Sequence, residues 1–121
     1  MHVRTAYYRN DGGLIVGITF SSEKRDKKGT WFLNLKGQQF QEAVLLCELS
    51  QRAVQAIHLP KTFLDKYERN MSKDHKGQVK FNVTLSNGRF CLLIPEPVGS
   101  VDVMEYLDGE PLVVALSPIY V

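Results

Sequence analysis

The chain has 121 residues, 44% hydrophobic and 23% charged, a length and composition that suit one folded domain and exclude a disordered chain. Its net charge of +2 conceals a split: positions 1–89 hold all 15 Lys and Arg against 8 Asp and Glu, or +7, while 90–121 hold five acids and no base, or −5. Such asymmetry points to a face for a polyanion, nucleic acid first.

Residues 1–9 alternate weakly, carry Tyr7 and Tyr8, and read as a first strand. Asn10 to Gly13 is a turn. Leu14 to Phe20 is a strong strand, in which Gly17 suggests a bulge or a close backbone approach. Ser21 to Gly29 is a basic loop. Trp31 to Leu35 resumes extended structure, with Trp31, Leu33 and Leu35 on one face and Thr30, Phe32 and Asn34 on the other.

From about 38 to 57 the apolar residues recur at spacings of three and four (Phe40, Val44, Cys47, Val54, Ile57), which predicts a long helix buried against a sheet. His58-Leu59-Pro60 ends it. A shorter helix is predicted at about 60–70, with Phe63, Leu64, Tyr67 and Met71 on one side. Residues 72–77 form a polar, basic loop.

Residues 78–94 make the clearest unit. Val79, Phe81, Val83 and Leu85 alternate with polar residues, and Asn87-Gly88 signals a two-residue hairpin turn. Counting outward pairs Leu85 with Phe90, Val83 with Leu92 and Phe81 with Ile94, all on one face. Lys80, Asn82, Thr84, Arg89, Cys91 and Leu93 fall on the other. Residues 100–107 fit a short helix or extended chain, Asp108-Gly109 is a turn, and 112–116 read as a final buried strand. The expected fold class is α+β, one domain over 1–121: an antiparallel β-sheet with the long helix at about 38–57 and the shorter one at about 60–70 packed on one face.

The candidate binding residues lie in two clusters. Lys24, Arg25, Lys27 and Lys28 crowd the loop, where Lys and Arg neutralise phosphates, and the neighbouring Trp31 and Phe32 offer rings on which unpaired bases stack. Lys73, Lys76, Lys80 and Arg89 form the second cluster, around a polar strand face. The competing explanation is a solvated loop diluted by Glu23 and Asp26, with Trp31 in the core and a water-facing sheet.

His2, His58 and His75 lie in different elements and have no ligand spacing to Cys47 or Cys91, so neither a metal nor a cofactor is expected. Both cysteines sit in apolar sequence and read as small buried or half-buried hydrophobes. No nucleophile–base pair, phosphate loop or carboxylate pair stands out, and an enzyme is not expected. No apolar run reaches the roughly 18 residues of a membrane span, and MHVRTAYYRNDGG has no apolar signal segment. The expected location is cytoplasmic, with nuclear and viral settings open and no membrane partner.

The stretch LIVGITFSSEKRDKKGTWFLNLKGQQFQEAVLLCEL, within residues 14–50, resembles the positive cofactor four family of transcriptional coactivators, relatives of the plant Whirly proteins. That resemblance implies a strand, a basic connection, a strand and a helix, single-stranded DNA as ligand, a homo-oligomer, and DNA contacts around Lys24, Arg25, Lys27, Lys28 and Trp31. The leading expectation is non-enzymatic binding of single-stranded DNA. The alternative is a protein-interaction module, such as a small phage or mobile-element inhibitor or a complex subunit, docking a partner through the acidic C-terminal section.

Overall fold

The computed structural model describes residues 4–36, 39–49 and 53–110, with backbone alone at 4 and at 112–113. The described chain is mostly β, in two sheets: β1 (Arg4–Arg9), β2 (Ile15–Ser22), β4 (Glu42–Glu48), β5 (Ala53–Leu59) and β9 (Leu112–Val113) in one, and β3 (Thr30–Lys36), β6 (Gln78–Ser86), β7 (Arg89–Ile94) and β8 (Gly99–Asp102) in the other. The orders are β1-β2-β4-β5-β9 and β3-β6-β7-β8. β2 and β4 run parallel; the other pairs are antiparallel. The basic loop carries the chain from the first sheet to the second, and the segment after β3 brings it back beside β2.

This corrects the expected α+β fold with a long helix. Within 38–57, the described residues form the β4–β5 hairpin, with Leu45 opposite Ile57 and Cys47 opposite Gln55. The physical reason is the unbroken apolar run Ala43-Val44-Leu45-Leu46-Cys47, in which periods of 2 and 3.6 are both countable. Burial obeys the period of 2: Ala43, Leu45 and Cys47 are fully buried, while Val44 and Leu46 are half-buried. The supposed helical stripe joins residues of opposite sheet faces, and its β-branched members Val44, Val54 and Ile57 suit a pleated surface. Within 14–50 the order is therefore strand, loop, strand, strand, where the resemblance implies a final helix.

The α-helix α1 (Lys61–Tyr67) continues as a 3-10 turn to Asn70. Pro60 stands at its N-cap, where its carbonyl accepts from Phe63 (3.0 Å) and Leu64 (3.1 Å). Phe63 and Leu64 enter the same core as the inner faces of both sheets, among them Leu33, Leu35, Phe81 and Val83 from one and Leu45, Ile57 and Leu59 from the other. The hairpin's inner residues thus share a core with a second sheet as well as the helix, where helix packing alone was expected.

Two details bind the sheets. Trp31 is 1% exposed, and its Nε1 donates to the Glu48 carbonyl at 2.8 Å, from β3 across to β4. Gly17 is the close approach that the sequence suggested: a Cβ there would stand 3.0 Å from the Leu35 methyls and 3.2 Å from the Tyr7 ring.

The hairpin adopts the expected register, with Leu85 opposite Phe90 and Val83 opposite Leu92, and φ is 54° at Asn87 and 76° at Gly88. Phe81, Phe90 and Ile94 are buried and Lys80 is exposed. Because no heavy atom lies within 4 Å of a Cβ at Gly88, Gly88→Val meets backbone strain alone. It should lower stability by roughly 1–2 kcal/mol, read from the denaturant midpoint. An unchanged midpoint would refute the turn assignment.

The acidic section is built into the fold. Arg89 and Asp102 pair between β7 and β8; Leu107 bridges to Ile57; Asp108 N donates to the Ala56 carbonyl at 2.9 Å; and the buried Gln55 amide donates to the Gly109 carbonyl at 3.0 Å. Residues 100–107, left open by the sequence, hold most of β8 (Gly99–Asp102) and a 3-10 turn at Met104–Tyr106. The expected strand at 112–116 is seen as β9; 114–116, like residues 1–3, lie outside the described residues. No helix among the described residues is long and apolar enough to cross a membrane.

Candidate nucleic-acid interface

The four-stranded sheet has one face in the core and one facing out. Alternation on β3 sends Trp31, Leu33 and Leu35 inward and Phe32, Asn34 and Lys36 outward. On β6 it sends Val79, Phe81 and Val83 inward, and Lys80, Asn82 and Thr84 outward. On β7, Phe90, Leu92 and Ile94 point in, and Arg89, Cys91 and Leu93 point out. Register then aligns these residues in rows. Phe32 lies opposite Asn82, Asn82 opposite Leu93, and Leu93 opposite Ser100. Asn34 lies opposite Lys80.

Phe32 and Leu93 are each 40% exposed, whereas most other apolar side chains of this sheet are buried. They stand two strands apart, roughly 10 Å, with Asn82 between them. The Lys24 ammonium lies over the Phe32 ring, 4.8 Å from its centroid. That geometry is a cation–π contact, and it brings the first residue of the basic cluster onto the outer sheet face.

The rest of the basic loop stands at one end of this face. Lys24 N donates to the Thr30 carbonyl at 2.9 Å, and Leu85 N to the Gly29 carbonyl at 2.8 Å, so the loop lies beside the β6–β7 turn. The Glu23 carboxylate accepts from Gly29 N and closes the loop from within. Arg25, Lys27 and Lys28 are exposed. A cleft of about 480 Å³ opens among Ser22, Glu23, Lys24, Arg25 and Asp26.

Of the second cluster, Lys73, Lys76 and Lys80 lie towards the opposite end, while Arg89 stands at the β6–β7 turn, on the side of the basic loop. Lys73 bridges to Val79, and Lys76 is exposed in the turn leading into β6. Asp74 shapes that turn by accepting from Lys76 N (2.8 Å) and Gln78 N (3.0 Å). The Gln78 amide is the chief reason its carboxyl stays below the ordinary 3.8; the Lys76 amide and the charges of His75 and Lys80 add to it. Lys36, on β3, sits opposite Gln78 at this end. Cations therefore bracket a strip running the length of β3 and β6, roughly 20 Å from Thr30 to Lys36 by strand rise.

Among the described residues the ion pairs are His58–Glu42, Lys61–Asp65 and Arg89–Asp102. Lys24, Lys36 and Lys80 take part in none of them; Lys36 and Lys80 are exposed, and the half-buried Lys24 lies over Phe32. Arg89 is different. Its hydrogen bond to Asp102 raises the guanidinium pKa and depresses that of the carboxyl, so this cation stands beside an anion on the surface.

The structure thus brings together Lys24, Phe32 and Lys80, with Arg25, Lys27 and Lys28 at one end and Lys73 and Lys76 at the other. It separates Trp31, whose ring packs at 5.9 Å from Phe90 in the core and presents no face to a base. Lys36 and Leu93 were not singled out as binding residues, although the alternation of β3 and of the hairpin places both on the outer face.

Of the cysteines, Cys47 is buried and its thiol is pushed up to about 12 by desolvation, which makes it a packing residue; Cys91 is half-buried on the outer face. Among the described residues no group of three or more His, Cys, Asp or Glu side chains converges as metal ligands would. Comparison of this chain with protein-family models, with curated proteins and with solved structures finds no match.

Proposed function

We propose that the outward face of the four-stranded sheet binds single-stranded nucleic acid, DNA by preference, without catalysing a reaction. The supporting observation is an exposed ring, Phe32, carrying a lysine ammonium on a sheet face that also presents Lys80 and, at its far end, Lys36, neither of them in an ion pair. Bases in a duplex are stacked on one another; an unpaired base has a free face for Phe32 and Leu93. Lys24, Lys36 and Lys80 flank those side chains and neutralise phosphates. The end clusters extend the same field along the strand and speed encounter. Trp31 supports the platform from beneath.

The test is fluorescence anisotropy of labelled oligo-dT against a duplex of equal length. Oligo-dT should bind more tightly, and its affinity should fall steeply between about 50 and 200 mM salt, since each neutralised phosphate contributes about −0.7 to the log–log slope on a single strand. No binding at low salt and high protein concentration would overturn the proposal.

A further inference from the structure

Asn82 occupies a position that phosphate binding and stacking leave unexplained. It stands between the two exposed apolar side chains of the sheet, opposite Phe32 on one strand and Leu93 on the other. It is half-buried, and its amide takes part in none of the side-chain hydrogen bonds found among the described residues. Cross-strand neighbours have Cβ atoms about 4.5–5.5 Å apart. A base that displaces the Lys24 ammonium and lies flat on the Phe32 ring would bring an edge towards the Asn82 amide.

An amide presents one acceptor and two donors in a plane, whereas a lysine presents donors alone. The first can distinguish base edges, and the second cannot. Resting on the nucleic-acid reading above, we infer that Asn82 is a specificity-determining residue that reads the edge of an unpaired base stacked on Phe32, and that adenine is the base it favours. Adenine places an acceptor beside its amino group, and the pairing of a carboxamide with N6 and N7 uses both. Its two-ring system also covers more of Phe32 than a pyrimidine does. Lys80, next along β6 on the same face, and Lys24, at the Phe32 ring, are placed for the flanking phosphates.

The experiment compares labelled oligo-dA, oligo-dT and oligo-dC of equal length by anisotropy, with the wild type, Asn82→Ala and Phe32→Ala. The wild type should bind oligo-dA about fivefold or more tightly than the pyrimidine strands, the lower end of what a bidentate contact discriminates. In Asn82→Ala that ratio should fall towards one. Phe32→Ala should weaken all three while oligo-dA stays ahead. Both side chains lie on the solvent face, so an unchanged thermal midpoint separates binding from folding. A wild-type ratio near one, or a ratio unaltered in Asn82→Ala, overturns the inference and leaves the nucleic-acid reading standing. Failure of the wild type to bind any of the three strands overturns both.

Discussion

Trp31→Ala should cost about 3–5 kcal/mol of unfolding free energy, the range for truncating a large buried aromatic. The side chain is 1% exposed, packs on Phe90 and joins the sheets through its bond to the Glu48 carbonyl. Truncation leaves a cavity between the sheets and strips that carbonyl of its donor, two costs that add. Urea denaturation measures it. A loss below about 1 kcal/mol, together with weakened oligonucleotide binding, would mean that Trp31 is a surface stacking residue and that the inner and outer faces of β3 are reversed.

The second large effect is on binding. Replacing Lys24, Lys36 and Lys80 together by alanine removes the three lysines proposed to neutralise phosphates. The slope of log affinity against log salt should shrink by about 2, at about 0.7 per contact on a single strand. The thermal midpoint should move little, because Lys36 and Lys80 are exposed and outside ion pairs, within about 0.5 kcal/mol each, and Lys24 loses a cation–π contact worth about 0.5–1 kcal/mol. An unchanged slope would show that this face does not carry the phosphates.

The same residues explain which parts of the fold were legible in the sequence. The hairpin was legible because two independent signals agree there: Asn87-Gly88 fixes the turn, and strict alternation fixes the face. Trp31-Phe32-Leu33-Asn34-Leu35 was legible for the second of these reasons. Residues 42–59 were not, because five consecutive apolar side chains fit either period and tertiary pairing decided between them. The two-sheet arrangement follows from that one correction, since a hairpin at β4–β5 builds the second sheet where a helix was expected. In the candidate site, the loop lysines and Phe32 were visible as composition and alternation. The alignment of Phe32, Asn82 and Leu93 was not, because the pairing of β3 with β6 joins residues about fifty positions apart and no local pattern encodes it.

The central claim is that single-stranded nucleic acid lies on the outward face of the four-stranded sheet. Backbone amide chemical shifts of the isotopically labelled protein, recorded while oligo-dT is added, test it most directly. The largest changes should fall on β3, β6 and β7, at Phe32, Lys80, Asn82 and Leu93, with smaller ones at Lys24 to Lys28. Changes confined to the five-stranded sheet, or none at saturating oligonucleotide, would contradict it.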